Sequence, residues 1–165
     1  MTPEPAARVG PLAGADGVVV RRVGIDDLPA LVAVLADDVL RATREVAGMA
    51  PYRRAFEQVA ADPNQLLVAA VADGEVVGTL QLSLIPGLSR AGALRGQIEA
   101  VRVRADHRGI GTGAALLRWA IDEARRRGCA LVQLTTDKSR ADALRFCERL
   151  GFVASHEGLK LELDG

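Results

Sequence analysis

The chain has 165 residues, 49% of them hydrophobic and 25% charged, the composition of a soluble globular protein with room for one domain and a full core. Its 21 basic and 21 acidic side chains cancel to a formal net charge of zero, so neither nucleic acid nor an anionic membrane is an expected partner. Two cysteines, Cys129 and Cys147, without a CxxC or His/Cys cluster, argue against a disulfide framework or a metal site, and no apolar run approaches the ~18 residues of a membrane span.

The opening stretch "MTPEPAARVGPLAGADG" has no apolar signal-peptide region. Residues 1–16 are expected to be a flexible tail, residues 17–165 a single domain, and the cytoplasm the default location. "VVVRRV" (18–23) is β-branched and reads as the first strand. In "DDLPALVAVLADDVL", Asp26 or Asp27 can cap a helix that places Leu28, Leu31, Val32, Leu35 and Val39 on one face. Pro51 suits a first helical turn, which predicts a second helix over 51–61. "QLLVAAVADGEVVGTLQLSL" reads as a hairpin turning at Asp73-Gly74. A loop precedes "QIEAVRV" (97–103), a fourth strand.

"DHRGIGTG" (106–113) follows, with glycine at 109, 111 and 113. Glycine so dense costs conformational entropy, which points to backbone exposed for a purpose. Beyond it Leu116, Leu117, Ala120, Ile121 and Ala124 form the apolar stripe of a helix that ends at Gly128. "ALVQLTT" (130–136) is a buried strand, "ADALRFCERL" a short helix with Ala143, Phe146, Cys147 and Leu150 inward, and "FVAS" with "LKLEL" a closing pair of strands. The expected order is βααβββαβαββ, an α/β domain around a mixed sheet. Charge is uneven along it: residues 95–149 carry twelve basic and seven acidic side chains, and this basic segment contains the loop.

These glycines either make a tight strand-to-helix connection that binds nothing or belong to one of three phosphate loops. A Walker loop requires GxxxxGK[ST], and the lysine is missing. A dinucleotide fingerprint matches at Gly109, Gly111 and Ala114, with Asp137 as a ribose-binding acid, but "RADHR" separates the glycines from their strand and too little chain follows. The third arrangement puts a pyrophosphate on amides at the helix N-terminus beside Arg108. "RGIGTG" fits [RQ]xxGx[GA], with Arg108, Gly111 and Gly113 in the defining places, and "ALRFCERLGF" resembles the element A-x-x-F-Y-x-x-x-G-F. Together with the element order from about residue 18 to 163, these motifs resemble the GNAT superfamily of N-acyltransferases.

That resemblance implies a mainly antiparallel mixed sheet flanked by helices. It also implies acetyl-CoA as co-substrate without a metal, and direct transfer of its acetyl group to a primary amine. The pyrophosphate would lie on Arg108, Gly109, Ile110, Gly111, Thr112, Gly113 and Ala114. Backbone N–H groups around Val101, Arg102 and Val103 would serve the oxyanion and the pantetheine arm. Homodimers are common in the family, although no segment here specifies one.

Freeing a proton from an alkylamine at neutral pH costs roughly 4 kcal/mol, while expelling thiolate costs about 2 kcal/mol. A base therefore matters more than an acid. Glu99 is the candidate base: in an unbroken strand it shares a face with Val101 and Val103, while Ala100 and Arg102 point the other way. A bulge, common in this strand of the family, would shift that register. Its structural alternatives are a salt bridge or acceptor positioning. Cys147 stands where the family often has a tyrosine acid, and is otherwise a small core residue. The different-class alternative is a non-catalytic acyl-CoA-binding module. His107, His156, Arg125 to Arg127, Lys138 and Arg140 carry less weight. The loop at 84–96 and the helices at 26–61 are expected to form the acceptor site.

Overall fold

The computed structural model describes residues 9–37 and 48–163. Its elements run β1 (Gly10–Pro11), β2 (Val18–Arg22), α1 (Leu28–Ala36), α2 (Ala50–Ala61), β3 (Gln65–Ala72), β4 (Glu75–Ile85), β5 (Arg95–Val103), α3 (Thr112–Arg126), β6 (Leu131–Leu134) and α4 (Ala141–Arg149). The six strands form one sheet in chain order, antiparallel except for the parallel β5–β6 pair. This is the expected mixed, mainly antiparallel α/β architecture. Asp73 and Gly74 take φ of 50° and 79° between β3 and β4, the left-handed pair that a two-residue hairpin demands.

Both faces of the sheet are covered, unequally. On one, the α3 stripe of Ala115, Leu116, Ala120 and Ala124 packs on Leu66, Val68, Leu80, Leu82 and Ile98, and each buried leucine contributes roughly 1.5–3 kcal/mol. On the other, Leu28, Leu31 and Val34 of α1 meet Ala69, Val71 and Val76, with Phe56 of α2 against the same cluster. Val32 and Leu35 are only half-buried and Val34 takes the inward place; Val39 lies outside the described residues. No described helix is long and apolar enough to cross a membrane.

Three expectations require correction. Residues 1–8 lie outside the described residues, but the rest of the expected tail is not loose: Gly10–Pro11 pairs with β2, and Leu12 and Ala15 are buried in the main cluster. Asp27 gives α1 no side-chain cap bond. Its carboxylate accepts from the Gly24 N–H at 2.7 Å and from both terminal nitrogens of Arg21 at 2.6 and 2.8 Å, and Arg21 chiefly holds it below its ordinary pKa.

The closing strands do not form either. Residues 152–163 contain none, and Leu159, Leu161 and Leu163 are 93%, 85% and 84% exposed. The alternation of "LKLEL" suits a strand, but a strand exists only where its N–H and C=O groups join a ladder. After α4 the chain passes the end of β6, with Gly158 beside Thr135, instead of running along that edge.

Candidate active site

The site begins where two strands part. β6 pairs with β5 only from Arg95↔Leu131 to Ile98↔Leu134, so Glu99 to Val103 continue without a strand neighbour on that side among the described residues. The Arg104 N–H donates to the Val77 carbonyl at 2.8 Å. By strand alternation Arg102 also turns its backbone toward β4, and Val101 and Val103 turn theirs into the opening. Of the three residues expected to present backbone donors, Val101 and Val103 face the gap and Arg102 does not.

A bulge changes the side-chain pattern. Register runs Thr79↔Arg102 and then Gln81↔Glu99, leaving Ala100 and Val101 opposite Leu80 alone, and Ala100 takes φ 52°. Two residues facing one is a β-bulge, which re-aims everything beyond it. Val101 and Val103 therefore join Ile98 on the α3 cluster. Glu99 and Arg102 share the opposite face, so the unbroken-strand reading of Glu99 is overturned. Glu99 is exposed and stands across from Gln81 on the α1–α2 side.

The glycine loop leads into α3. Gly109 and Gly111 adopt φ of 77° and 96°, and left-handed glycines between ordinary residues gather successive N–H groups into an anion-binding concavity. Gly111 is the N-cap of a 15-residue helix, whose first amides carry the positive end of the dipole. The Thr112 hydroxyl there is buried with no hydrogen-bond partner among the described residues. A Cβ at Gly111 would meet the Gly14 carbonyl at 3.2 Å, whereas Gly113 has ordinary contacts with Val103 and Phe146. Ile110 is 65% exposed. A dinucleotide fold is ruled out by the mainly antiparallel sheet, and the Asp137 carboxylate is taken by the Ser139 N–H and hydroxyl at 2.9 and 2.7 Å.

Arg108 lies differently from the expectation. Its Nε donates to the Val103 carbonyl at 2.8 Å, and its Nη2 reaches the Asp37 carbonyl at 3.0 Å and carboxylate at 3.3 Å. Asp37 also accepts from the Ala105 N–H at 2.8 Å, so the end of α1, the end of β5 and the loop are tied together. Nothing local signals this, because Asp37 and Arg108 stand 71 residues apart. Next to them the Arg104 guanidinium donates to Asp106 at 2.7 and 2.9 Å, and His107 adds a contact at 2.9 Å. Arg104 first and His107 second hold the Asp106 carboxyl well below its ordinary range.

Cys147 is buried, and burial pushes its thiol pKa up, so it is protonated at neutral pH. Its helix neighbour Phe146 packs on the α3 side of the sheet, opposite the face that Glu99 shares. His156 bonds Ser155, and Lys138 pairs with Glu157. Arg125 to Arg127 are not uniformly exposed: the Arg127 side chain is 3% exposed and bound to Glu123.

The chain matches the sequence profile of the acetyltransferase (GNAT) family over residues 32–152. It is 38% identical over 105 residues to the aminoalkylphosphonate N-acetyltransferase of Salmonella typhimurium, a match covering 64% of this chain and 68% of that enzyme. It is 30% identical over 141 residues to the L-methionine sulfoximine/L-methionine sulfone acetyltransferase of Pseudomonas aeruginosa, over 82% of this chain and 80% of that one. A crystal structure described as a transcriptional regulator from Bacillus halodurans C-125 superposes with a TM-score of 0.85 at 47% identity, covering 88% and 99% of the two chains.

Proposed function

The chain belongs to the acetyltransferase (GNAT) family and is an acetyl-CoA-dependent N-acetyltransferase, and from that premise we propose that it acetylates the primary amine of a small molecule, with Glu99 as the base. The opening between β5 and β6 carries this proposal. It presents the backbone edge of Val101 and Val103 within one bulge of an exposed carboxylate. The names of both enzyme relatives describe small amine acceptors.

In this proposal each part of the chain has one task. The N–H groups of the loop and the first turn of α3 hold the pyrophosphate, with the buried Thr112 hydroxyl at the same end. Arg108 acts by fixing the loop to β5 and α1. The N–H groups of Val101 and Val103 extend a strand-like ladder to the pantetheine arm and donate to the thioester oxygen as negative charge develops there, worth several kcal/mol in an enclosed site. Glu99 removes the ammonium proton, directly or through water, and the amine attacks the carbonyl. The amide bond forms as the carbon–sulfur bond breaks; sulfur leaves with the electron pair, and the second proton lost by nitrogen passes through solvent to the thiolate, giving free thiol, while Glu99 returns its proton to water.

The decisive experiment measures thiol release from acetyl-CoA with amino acids, polyamines, aminoglycosides and peptide N-termini in turn. Robust turnover of one small-amine class is expected. Coenzyme A binding with no thiol release from any class would leave only the binding-module alternative.

Two variants test the parts. Ile110→Glu places a carboxylate on the loop at an exposed side chain, avoiding both the positive φ and the Gly14 contact that would confound Gly111. Acetyl-CoA affinity is expected to fall at least ~10-fold, about 1.4 kcal/mol, in a titration calorimeter; unchanged affinity would reject the phosphate assignment. Cys147→Ala removes a buried thiol, and a maximal rate within a few-fold of wild type with slightly lowered melting identifies packing alone. A loss above ~100-fold with normal melting would make the thiol the proton donor to sulfur.

A further inference from the structure

β5 presents three different polar groups at every second position of one face. Glu99 lies opposite Gln81, Gln97 opposite Ser83 and Arg95 opposite Ile85. The face is the one opposite α3, since the intervening Ile98 is 2% exposed within the α3 cluster. Among the described residues, α1 and α2 pack on Leu67, Ala69, Val71 and Val76 of β3 and β4, beside this strip.

Its neighbours orient the middle group. The Gln97 carboxamide oxygen accepts from Gln133 Nε2 at 2.7 Å, and among the described residues its own nitrogen has one contact, at 3.5 Å with the Ile98 carbonyl. On the flanking strands the Gln65 oxygen accepts from Gln81 Nε2 at 2.9 Å and from Ser83 Oγ at 2.7 Å. The oxygens of Gln65 and Gln97 are thus engaged within the sheet, so each carboxamide has N–H, not oxygen, to offer a further partner. No carboxylate pairs with Arg95 among the described residues.

Alternate residues of a strand lie about 7 Å apart. Carboxylate, amide donor and guanidinium therefore follow one another in a line, with the negative end at the bulge beside the β5–β6 opening. We propose that Glu99, Gln97 and Arg95 form the acceptor-recognition strip, and that the acceptor is a short primary amine carrying an oxyanion, carboxylate or phosphonate, about 7 Å from its nitrogen. The ammonium sits on Glu99 next to the acetyl group, and the oxyanion takes the Gln97 N–H and the Arg95 guanidinium, which reaches back along the strand. This rests on the acetyltransferase function proposed above and narrows its acceptor.

The test compares aminopropylphosphonate and γ-aminobutyrate with butylamine by thiol release, using the full chain and the variants Gln97→Glu and Arg95→Gln. Glutamate at 97 keeps the oxygen that accepts from Gln133 but replaces the N–H donor with negative charge. Wild type is expected to favour at least one of the anionic amines over butylamine in kcat/KM. In each variant that preference is expected to fall at least ~10-fold, with melting temperatures within a few degrees of wild type. A preference unchanged in both folded variants, or a wild type that favours butylamine, overturns the strip. Turnover of polyamines or aminoglycosides but of neither anionic amine overturns it too, and leaves the acetyltransferase function standing. Thiol release with no amine of any class sinks both.

Discussion

Glu99→Gln is expected to lower kcat by about 10²- to 10⁴-fold, the usual size of general-base catalysis. The substitution preserves shape and removes the group that accepts the proton. Glu99 is exposed and cross-strand from Gln81, so no buried ion pair is broken and stability should scarcely change. Acetyl-CoA affinity should also hold, because the phosphates are proposed to bind at 108–114, beyond the end of β5. The loss should shrink as pH rises toward the amine's own pKa near ~10.4, where solution supplies the free base. A carboxylate that merely anchors an ammonium behaves otherwise: its removal raises the acceptor KM and spares kcat at saturation. A kcat within a few-fold of wild type, with only KM raised, would remove Glu99 from the chemistry and keep it in the recognition strip.

Local pattern made much of this molecule legible before any coordinates. Asp73-Gly74 announced its hairpin because few other residue pairs tolerate two left-handed conformations, and both have positive φ. The α3 stripe was readable because helical periodicity reports one buried face, and Leu116, Ala120 and Ala124 are fully buried. The loop announced itself through Gly109 and Gly111, whose φ values fall where a side chain is strained. What escaped depends on partners far away in sequence. The Ala100 bulge, foreshadowed only by the family resemblance, arises from pairing with β4, and "EAVRV" alone carries no sign that Leu80 will face two residues. Asp37 clasps Arg108 across 71 positions. The Gln65–Gln81–Ser83 and Gln97–Gln133 contacts exist only once four strands are in register. "LKLEL" shows the converse failure, since alternation records what a strand needs from its faces and says nothing of whether an edge is there to receive it.

Glu123→Ala is expected to destabilise the fold by about 3–5 kcal/mol, the usual result of removing one member of a buried ion cluster. The Glu123 side chain is fully buried and accepts from Arg126 Nη2 at 2.6 Å, Arg126 Nε at 2.9 Å and Arg127 Nε at 2.8 Å. Without it the Arg127 guanidinium, itself 3% exposed, keeps its charge and loses this counter-ion. At 2–4 °C per kcal/mol for a chain of this size, melting should fall by roughly 6 to 20 °C. Arg126→Ala, whose side chain is a third exposed, should cost less. Burial alone would raise the Glu123 pKa, but the hydrogen bonds from Arg126 and Arg127 outweigh it and hold the carboxyl below its ordinary value. A carboxyl depressed in the folded state stabilises fully above its unfolded pKa, near ~4.3, and loses that contribution as pH falls through the folded value. The gap between wild type and Glu123→Ala in urea unfolding should therefore be constant from pH 6 to 8 and narrow below about pH 4. Glu123 lies eleven residues into α3 from Thr112, about 16 Å at the helical rise, so acetyl-CoA affinity measured well below the melting transition should match wild type. A variant that melts normally would show that the two arginines find other partners when the carboxylate is gone, and a stability gap that stays constant down to pH 3 would show that the folded carboxyl is not held below its ordinary value.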